Sequence, residues 1–213
     1  MADELVVYTN PMSRGRMVRW MLEEVGHPYR TELLGFGPPM KAPGYLAINP
    51  MGKVPALRHG DTVITECAAI CAYLADAFPQ AGLAPPPGDR RRGTYFRWLF
   101  FAAGPVEAAV TNNALGVVVP EGRERMAGYG SFADVMNVLE GAVGRGDYLL
   151  GDTFSAADVY LGAQIGFGLM FGSIEKRPAF AQYWARISQR PAARRAREID
   201  DALVAAQPPA AAQ

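Results

Sequence analysis

An unusual cluster of cationic and hydroxyl side chains lies at the start of the first predicted helix. The stretch TNPMSRGR, residues 9–16, follows an apolar run, LVVY, that predicts a strand. Its first turn carries Arg14 and Arg16 and no carboxylate, although a helix N-terminus already carries about half a positive charge. Free backbone N–H groups, two guanidinium groups and the Ser13 hydroxyl together form a candidate anion site.

The alternative interpretation of Ser13 is purely structural. A serine at a helix start caps the backbone N–H groups of the first turn. The position three residues later holds Arg16, where a capping box has Glu or Gln. The spacing alone therefore favours neither an anion site nor a simple cap.

A second unusual position is Pro55, at the start of a predicted strand in the stretch NPMGKVPAL. Proline is restricted there to a first residue, an edge or a bulge, because it donates no hydrogen bond to the ladder. One interpretation is an ordinary edge strand. The other leaves the backbone N–H and C=O of Val54 unpaired and able to bind a short peptide in an extended conformation.

A second helix start lies in TECAAICAYLADAF, residues 65–78. Its first-turn N–H groups form another possible anion site near Glu66 and Cys67, while the remainder is typical of an amphipathic core helix. Cys67 and Cys71 are four residues apart on one helical face. This spacing is not that of a C-x-x-C redox or zinc motif and predicts two packed thiols.

The elements that carry these residues alternate between strand and helix patterns as far as residue 78. The order is β-α-β, a connection, then β-β-α, which predicts a small mixed sheet covered by helices. The stretch FPQAGLAPPPGD, residues 78–89, is rich in Pro and Gly and marks a boundary.

Beyond this boundary only helical patterns are found. The predicted helices span 89–119, interrupted at Gly104-Pro105, and 121–144, 155–171, 177–189 and 192–206. We therefore predict an α/β domain over 1–79, a linker over 80–88, an all-helical domain over 89–207 and a flexible tail over 208–213. Within the helical domain, Ser155 and Asp158 have capping-box spacing and predict a helix start with no chemistry.

Composition excludes several classes of partner. Lys and Arg equal Asp and Glu at 21 each, so nothing indicates a nucleic-acid partner. Two cysteines in 213 residues are no disulfide framework and favour a reducing compartment. We see no secretory signal and no apolar run near the roughly 18 residues that span a membrane. His27 and His59 have no partner spacing, and we expect a cytoplasmic protein without a metal site.

In series, four motifs resemble the cytosolic glutathione transferase family. They are NPMSRGRMVRWMLEEVG, NPMGKVPAL, TECAAICAYLADAFP and GDTFSAADV, and they occur in that family's order and at its distances. The resemblance covers nearly the whole chain. It implies an α/β thioredoxin-like N-terminal domain followed by an all-α helical C-terminal domain.

The resemblance also implies roles for particular residues. Ser13 stands at the place of the catalytic serine, and Arg16 is the second catalytic candidate, as a cation near the glutathione thiolate. Arg14 is an alternative to Arg16 that the sequence does not decide. The residues implied to bind glutathione are Lys41 and Lys53 at the glycyl carboxylate, Val54 with a cis Pro55 at the cysteinyl backbone, and Glu66 and Cys67 at the γ-glutamyl end.

Two departures from the family pattern are visible. Cys67 replaces the usual serine of the γ-glutamyl pair, which removes a hydroxyl donor but leaves the backbone N–H. The stretch MSRG lacks the flanking serine and cysteine of the zeta class, which argues against isomerase activity.

The implied activity is conjugation of the glutathione thiolate to a small hydrophobic electrophile by a homodimer. Met12, Phe100 and Glu107 are the candidate electrophile contacts. Core packing is the alternative for Phe100, and a structural pair with an arginine is the alternative for Glu107. The alternatives are a glutathione-dependent thiol reductase or peroxidase, which a cysteine at position 13 would favour, and a non-catalytic glutathione-fold binding protein.

Overall fold

A four-stranded mixed sheet forms the first half of the fold in a computed structural model, which describes residues 4–206. The strands are β1 (Leu5–Thr9), β2 (Arg30–Leu33), β3 (Ala56–His59) and β4 (Thr62–Thr65), in the spatial order β2-β1-β3-β4. Val7 of β1 lies opposite Thr31 in a parallel pair with β2 and opposite Leu57 in an antiparallel pair with β3. The predicted mixed sheet is confirmed.

Three helices accompany this sheet: α1 (Gly15–Val25), α2 (Pro43–Leu46) and α3 (Cys67–Ala77). The apolar face of α1 is buried, with Met17, Val18 and Met21 each at most 1% exposed. Gly26 ends α1 in the left-handed conformation, with φ of 70°, and donates its N–H to the Leu22 carbonyl. A glycine suits this position because it has no Cβ to clash at positive φ.

The remaining helices are α4 (Arg91–Phe101), α5 (Glu107–Ala114), α6 (Phe132–Val143), α7 (Ala156–Phe171), α8 (Pro178–Ile187) and α9 (Pro191–Ala205). The predicted interruption at Gly104-Pro105 is present as a π-helical turn, Ala102–Val106, between α4 and α5. Pro105 lacks the N–H that an α-helical bond requires at this point.

The sequence-based helix over 121–144 is wrong in its first half. Residues 117–131 contain a single short 3₁₀ turn, Glu124–Met126, and α6 begins only after its N-cap, Ser131. Gly116, Gly122 and Gly130 adopt left-handed conformations, and such residues do not continue an α-helix. For the same reason the first long helical segment ends at Ala114 and not at 119.

The chain divides into two compact units whose bounds differ from the predicted domains. Within residues 4–206, one unit contains the residues up to Leu74 and those from Arg190, and the other spans Ala75–Gln189. Helix α9, predicted as part of the helical domain, packs against α1 in the sheet-containing unit. Three ion pairs among the described residues join α1 to α9, and a fourth joins α1 to Arg190, the N-cap residue of α9: Arg16–Asp201, Arg19–Asp200, Arg195–Glu23 and Arg190–Glu24.

Two further points concern the ends and surface of the chain. The flexible tail predicted over 208–213 lies outside the described residues. Among the helices within residues 4–206, none combines the length and apolar character needed to cross a membrane.

The start of α7 is the best-satisfied polar site in the helical unit. The Asp158 carboxylate is fully buried and accepts hydrogen bonds from the Leu149 N–H (2.8 Å), the Ser155 N–H (2.9 Å), the Ser155 hydroxyl (2.8 Å) and the Tyr183 hydroxyl (2.8 Å). Burial raises the pKa of the Asp158 carboxyl, and these four donors oppose the rise. The predicted capping box is confirmed.

We predict that Asp158→Ala lowers the free energy of unfolding by about 3 kcal/mol or more, because several buried donors lose their acceptor at once. Urea unfolding of the two proteins measures the difference. Ser131→Ala, which removes the exposed N-cap of α6, is the matched control and should cost only about 1 kcal/mol. Equal losses in the two variants would contradict a special role for Asp158.

Candidate functional site

Ser13 lies in a tight turn immediately before α1. Its backbone N–H donates to the Asn10 carbonyl at 3.0 Å, and its hydroxyl donates to the same carbonyl at 2.7 Å. The hydroxyl oxygen also accepts the N–H of Gly15 at 3.0 Å. The structure therefore shows a capping contact for Ser13, in a side chain that remains partly exposed.

Asn10, which the sequence analysis did not select, organises this turn. Its side chain is almost fully buried, donates to the Leu34 carbonyl at 2.8 Å and accepts the Met12 N–H at 2.9 Å. An Asn-Pro pair directly after a strand is a turn signal that could have indicated it. The Asn10 side chain thus holds the turn against the end of β2. Met12, a predicted electrophile contact within this turn, is 57% exposed.

Gly15 brings the first turn of α1 close to the end of β1. A Cβ placed on Gly15 would lie 1.9 Å from Oγ1 of Thr9, which is buried. A side-chain carbon in this space would force Thr9 or the start of α1 to shift. The glycine in the SRGR sequence therefore permits the close approach of α1 to β1.

Arg16 is held by two acceptors. Its Nε donates to the Pro11 carbonyl at 2.5 Å, and its Nη1 donates to the Asp201 carboxylate of α9 at 2.8 Å. The side chain reaches back over the turn that contains Ser13. The structure thus places Arg16 beside the predicted anion site, in a bridge between the turn and α9.

The starts of α1 and α3 meet in this unit. The Cys67 thiol donates to the Arg14 carbonyl with a sulfur–oxygen distance of 3.8 Å. Glu66, the residue before α3, has φ of 66°, and its carbonyl accepts the Ile70 N–H at 2.9 Å. A non-glycine residue at positive φ is uncommon and is concentrated at functional sites.

The two cysteines lie in different surroundings along α3. Both are buried and neither forms a disulfide, so the predicted packed thiols are confirmed. Burial raises the pKa of the Cys71 thiol well above its ordinary value, which keeps it protonated and unreactive. Cys67 differs from it by its position at the helix start, against the Arg14 carbonyl.

The segment before β3 presents open backbone. The Val54–Pro55 peptide bond is cis, as the resemblance implies. The ladders of β3 begin at Ala56, and no hydrogen bond of the Val54 N–H or C=O occurs in the part of the chain that the structure describes. This backbone is unpaired, as strand-like binding of an extended ligand requires, and such binding stays a prediction.

Two buried side chains hold this segment in place. The Tyr45 hydroxyl and the Asn49 Nδ2 both donate to the Lys53 carbonyl, at 2.6 and 2.8 Å. The Asn49 Oδ1 also accepts the Met51 N–H at 3.0 Å. Neither Tyr45 nor Asn49 was selected from the sequence, although the Asn of NPMGKVPAL follows the same Asn-Pro pattern as Asn10.

The two predicted carboxylate-binding lysines lie on adjoining backbone. The Lys41 Nζ donates to the Met51 carbonyl at 2.8 Å. Gly52, with φ of 57°, allows this approach, because a Cβ there would meet the Met40 carbonyl at 2.6 Å and the Lys41 side chain at 2.8 Å. Both Lys41 and Lys53 are exposed, and Lys53 directly follows Gly52.

The other predicted electrophile contacts lie in the helical unit. Phe100 on α4 is 72% exposed and packs its ring against Phe96, with 6.4 Å between the ring centroids. Glu107 is the first residue of α5, directly after the π-helical turn. The role of Met12, Phe100 and Glu107 toward an electrophile stays a prediction.

A separate cavity of about 170 Å³ in the helical unit is lined by none of the predicted site residues. It lies between α4 and the segment after α6, with Arg97, Trp98, Arg145 and Tyr148 in its wall. Within residues 4–206, no group of three or more His, Cys, Asp or Glu side chains is arranged to hold a metal ion.

Comparison with known proteins gives a consistent family for both halves of the chain. A glutathione S-transferase N-terminal domain matches residues 12–77, and a glutathione S-transferase C-terminal domain matches residues 122–191. Glutathione S-transferase F9 of Arabidopsis thaliana is 31% identical over 175 residues, which cover 71% of this chain and 76% of that protein.

Solved structures extend the similarity to the whole fold. A glutathione transferase from Methylococcus capsulatus superposes with a TM-score of 0.76 at 27% identity, over 93% of this chain and 99% of that chain. The glutathione transferase URE2P6 from Phanerochaete chrysosporium, in complex with oxidized glutathione, superposes with a TM-score of 0.77 at 27% identity, over 94% and 98% of the two chains. These similarities confirm the predicted thioredoxin-like domain followed by an all-helical domain.

We predict that Gly15→Ala destabilises the protein and disturbs the first turn of α1, because the new methyl group would overlap Thr9. Urea unfolding gives the sign of the change. Gly141→Ala is the matched control: it lies in α6 with open space around a new Cβ, and alanine should stabilise that helix by up to about 1 kcal/mol. The same sign for both substitutions would contradict the packing argument.

Proposed function

Because this chain belongs to the glutathione S-transferase family, we propose that it binds glutathione at the starts of α1 and α3. We further propose that it transfers the glutathione thiolate to a small hydrophobic electrophile. The observation that carries the proposal is the contact between the Cys67 thiol and the Arg14 carbonyl. It places two helix N-termini side by side, and helix N-termini favour anions.

Each part of glutathione has a matching surface in the sheet-containing unit. The γ-glutamyl end is assigned to Glu66 and to the backbone N–H at Cys67, at the start of α3. The cysteinyl backbone is assigned to the open N–H and C=O of Val54, which offer strand-like pairing. The glycyl carboxylate is assigned to Lys41 and Lys53, which are exposed on adjoining backbone.

The chemistry in this proposal is thiol ionisation followed by attack. A free cysteine thiol has a pKa of about 8.5, so little thiolate exists at neutral pH. The first-turn N–H groups of α1 and the Ser13 hydroxyl favour the charged form, and the thiol proton leaves to solvent. The sulfur lone pair then forms the bond to carbon. With a halide, the electron pair of the broken bond departs with the leaving group. With an epoxide or an unsaturated carbonyl compound, the displaced electron pair stays in the product, which takes up a proton from solvent.

Ser13 requires a local rearrangement to act as a donor. Its hydroxyl proton points to the Asn10 carbonyl at 2.7 Å. A hydroxyl hydrogen rotates about its C–O bond, so Ser13 can turn the proton toward a thiolate while its oxygen still accepts the Gly15 N–H. The capping contact and the donor role are therefore compatible in one side chain.

The alternatives drawn from the sequence receive no support from the observed site. A thiol reductase of this type uses a cysteine at position 13, and this chain has serine there. The proposal also includes the homodimeric state and the cytoplasmic location that the family resemblance implies.

Calorimetric titration with glutathione, followed by conjugation assays with a panel of electrophilic aromatic halides, epoxides and unsaturated carbonyl compounds, tests the proposal. We expect saturable binding and catalysed conjugation of at least one hydrophobic electrophile. Binding without turnover on the whole panel would support the non-catalytic alternative. Absence of binding would contradict the assigned glutathione site.

We predict that Ser13→Ala raises the apparent pKa of the conjugation pH–rate profile by roughly one to two units, because a charge-assisted hydrogen bond is worth about 1.5–3 kcal/mol and one pKa unit about 1.36 kcal/mol. Since the thiolate form becomes less favoured, turnover should fall near neutral pH and recover at high pH. Glutathione affinity should change little, because the assigned peptide contacts lie elsewhere.

The helix cap provides the control for this experiment. Ser13→Ala also removes a capping contact and should cost about 1 kcal/mol of stability, and Ser131→Ala on α6 should cost a similar amount without changing the pH–rate profile. An unshifted profile in Ser13→Ala, with the stability loss present, would mean that Ser13 is a cap only.

A further inference from the structure

We propose that Asp201 on α9 is a positioning residue for the turn before α1 and that it acts through Arg16. The inference rests on the proposed function, since the turn matters for the reaction only if the thiolate lies at the first turn of α1. The starting observation is that the Arg16 guanidinium is shared between the Pro11 carbonyl and the Asp201 carboxylate.

The guanidinium group has a geometry suited to this bridge. Its N–H donors lie in one rigid plane, so holding Nη1 on Asp201 fixes the direction in which Nε points. Nε then donates to the Pro11 carbonyl at 2.5 Å. A lysine ammonium carries the same charge but offers no such planar fork. The bridge therefore depends on arginine and on the position of Asp201.

Pro11 connects the bridge to Ser13 through the backbone. It follows Asn10, whose carbonyl receives both the N–H and the hydroxyl of Ser13. A shift of Pro11 moves this carbonyl and with it the direction of the Ser13 hydroxyl. The path from α9 to the proposed thiolate site is thus Asp201, Arg16, the Pro11 carbonyl and the turn that ends at Ser13.

Asp200, the residue before Asp201, holds this part of α9 against α1. The Asp200 carboxylate accepts a hydrogen bond from the Arg19 Nε at 2.7 Å, and both side chains are at most 2% exposed. Arg19 also donates to the hydroxyl groups of Tyr29 and Thr31, each at 3.2 Å. This buried network anchors α9 beside α1, so that Asp201 is presented to Arg16 from a fixed backbone.

The Arg16–Asp201 ion pair is too exposed to contribute much to the free energy of unfolding. The side chains of Arg16 and Asp201 are 26% and 58% exposed, and ion pairs at such positions contribute about 0–1 kcal/mol. A second pair on the same two helices, Arg195–Glu23 at 3.2 Å, also lies partly in solvent, with its arginine 52% exposed and its glutamate 15% exposed. It lies two turns of α1 away from the site, which makes it a matched control.

The test compares Asp201→Ala, Arg16→Lys and the control Arg195→Gln in the full chain, by pH–rate profiles for glutathione conjugation and by thermal midpoints. Asp201→Ala and Arg16→Lys should each raise the apparent pKa by about half a unit and lower turnover near neutral pH by about threefold to tenfold, as expected for a displaced site group. The glutathione KM should change less than twofold. Arg195→Gln should leave the profile unchanged, and Asp201→Glu should restore part of the loss.

An unshifted profile in Asp201→Ala overturns the inference. A wild-type profile in Arg16→Lys also overturns it, since a positive charge at position 16 would then be sufficient. Arg16→Lys leaves Asp201 in place, so it tests the bridge even if Asp201→Ala does not fold. An equal shift in Arg195→Gln would show a general effect of helix packing and also overturns it. A wild-type protein that neither binds nor conjugates glutathione overturns the proposed function, and the inference falls with it.

Discussion

The site depends on the meeting of two helix N-termini in the sheet-containing unit. The Cys67 thiol at the start of α3 lies against the Arg14 carbonyl at the start of α1. Both helix starts are electropositive, because the macrodipole of each helix has its positive end there. Gly15 permits the approach of α1 to β1, and the positive φ of Glu66 directs the chain into α3. In the proposed function, these two backbone positions bring the helix starts together to form one anion-binding surface.

The second constraint is electrostatic: Arg14 and Arg16 place two positive charges at a helix start that is already positive. The charge of Arg16 is compensated, because its Nη1 donates to the Asp201 carboxylate and its Nε donates to the Pro11 carbonyl. The sequence suggested a direct thiolate contact for this residue. These two contacts fit an indirect role in the proposed function, in which Arg16 holds the turn while the N-terminus of α1 and Ser13 stabilise the thiolate.

Local signals predicted the parts of the fold that depend on neighbouring residues. The strand and helix order of the first 77 residues, the interruption at Pro105 and the capping box of Asp158 all follow from short patterns. The sequence-based predictions failed where the structure depends on residues distant in the chain or on glycines with positive φ. Asp201 meets Arg16 across 185 positions, and no periodicity indicates which unit α9 joins. Glycines with positive φ at positions 116, 122 and 130 shorten the first long helical segment and shift the start of α6 to Phe132, whereas the apolar pattern alone predicts longer helices.

The most direct test of the account is the titration of the glutathione thiol on the wild-type protein. Thiolate absorbance near 240 nm, recorded against pH with saturating glutathione, gives the pKa of the bound thiol. The account predicts a value at least about one unit below the free thiol's 8.5, because helix N-termini and a hydroxyl donor favour the anion. A bound thiol with the pKa of free glutathione would contradict it.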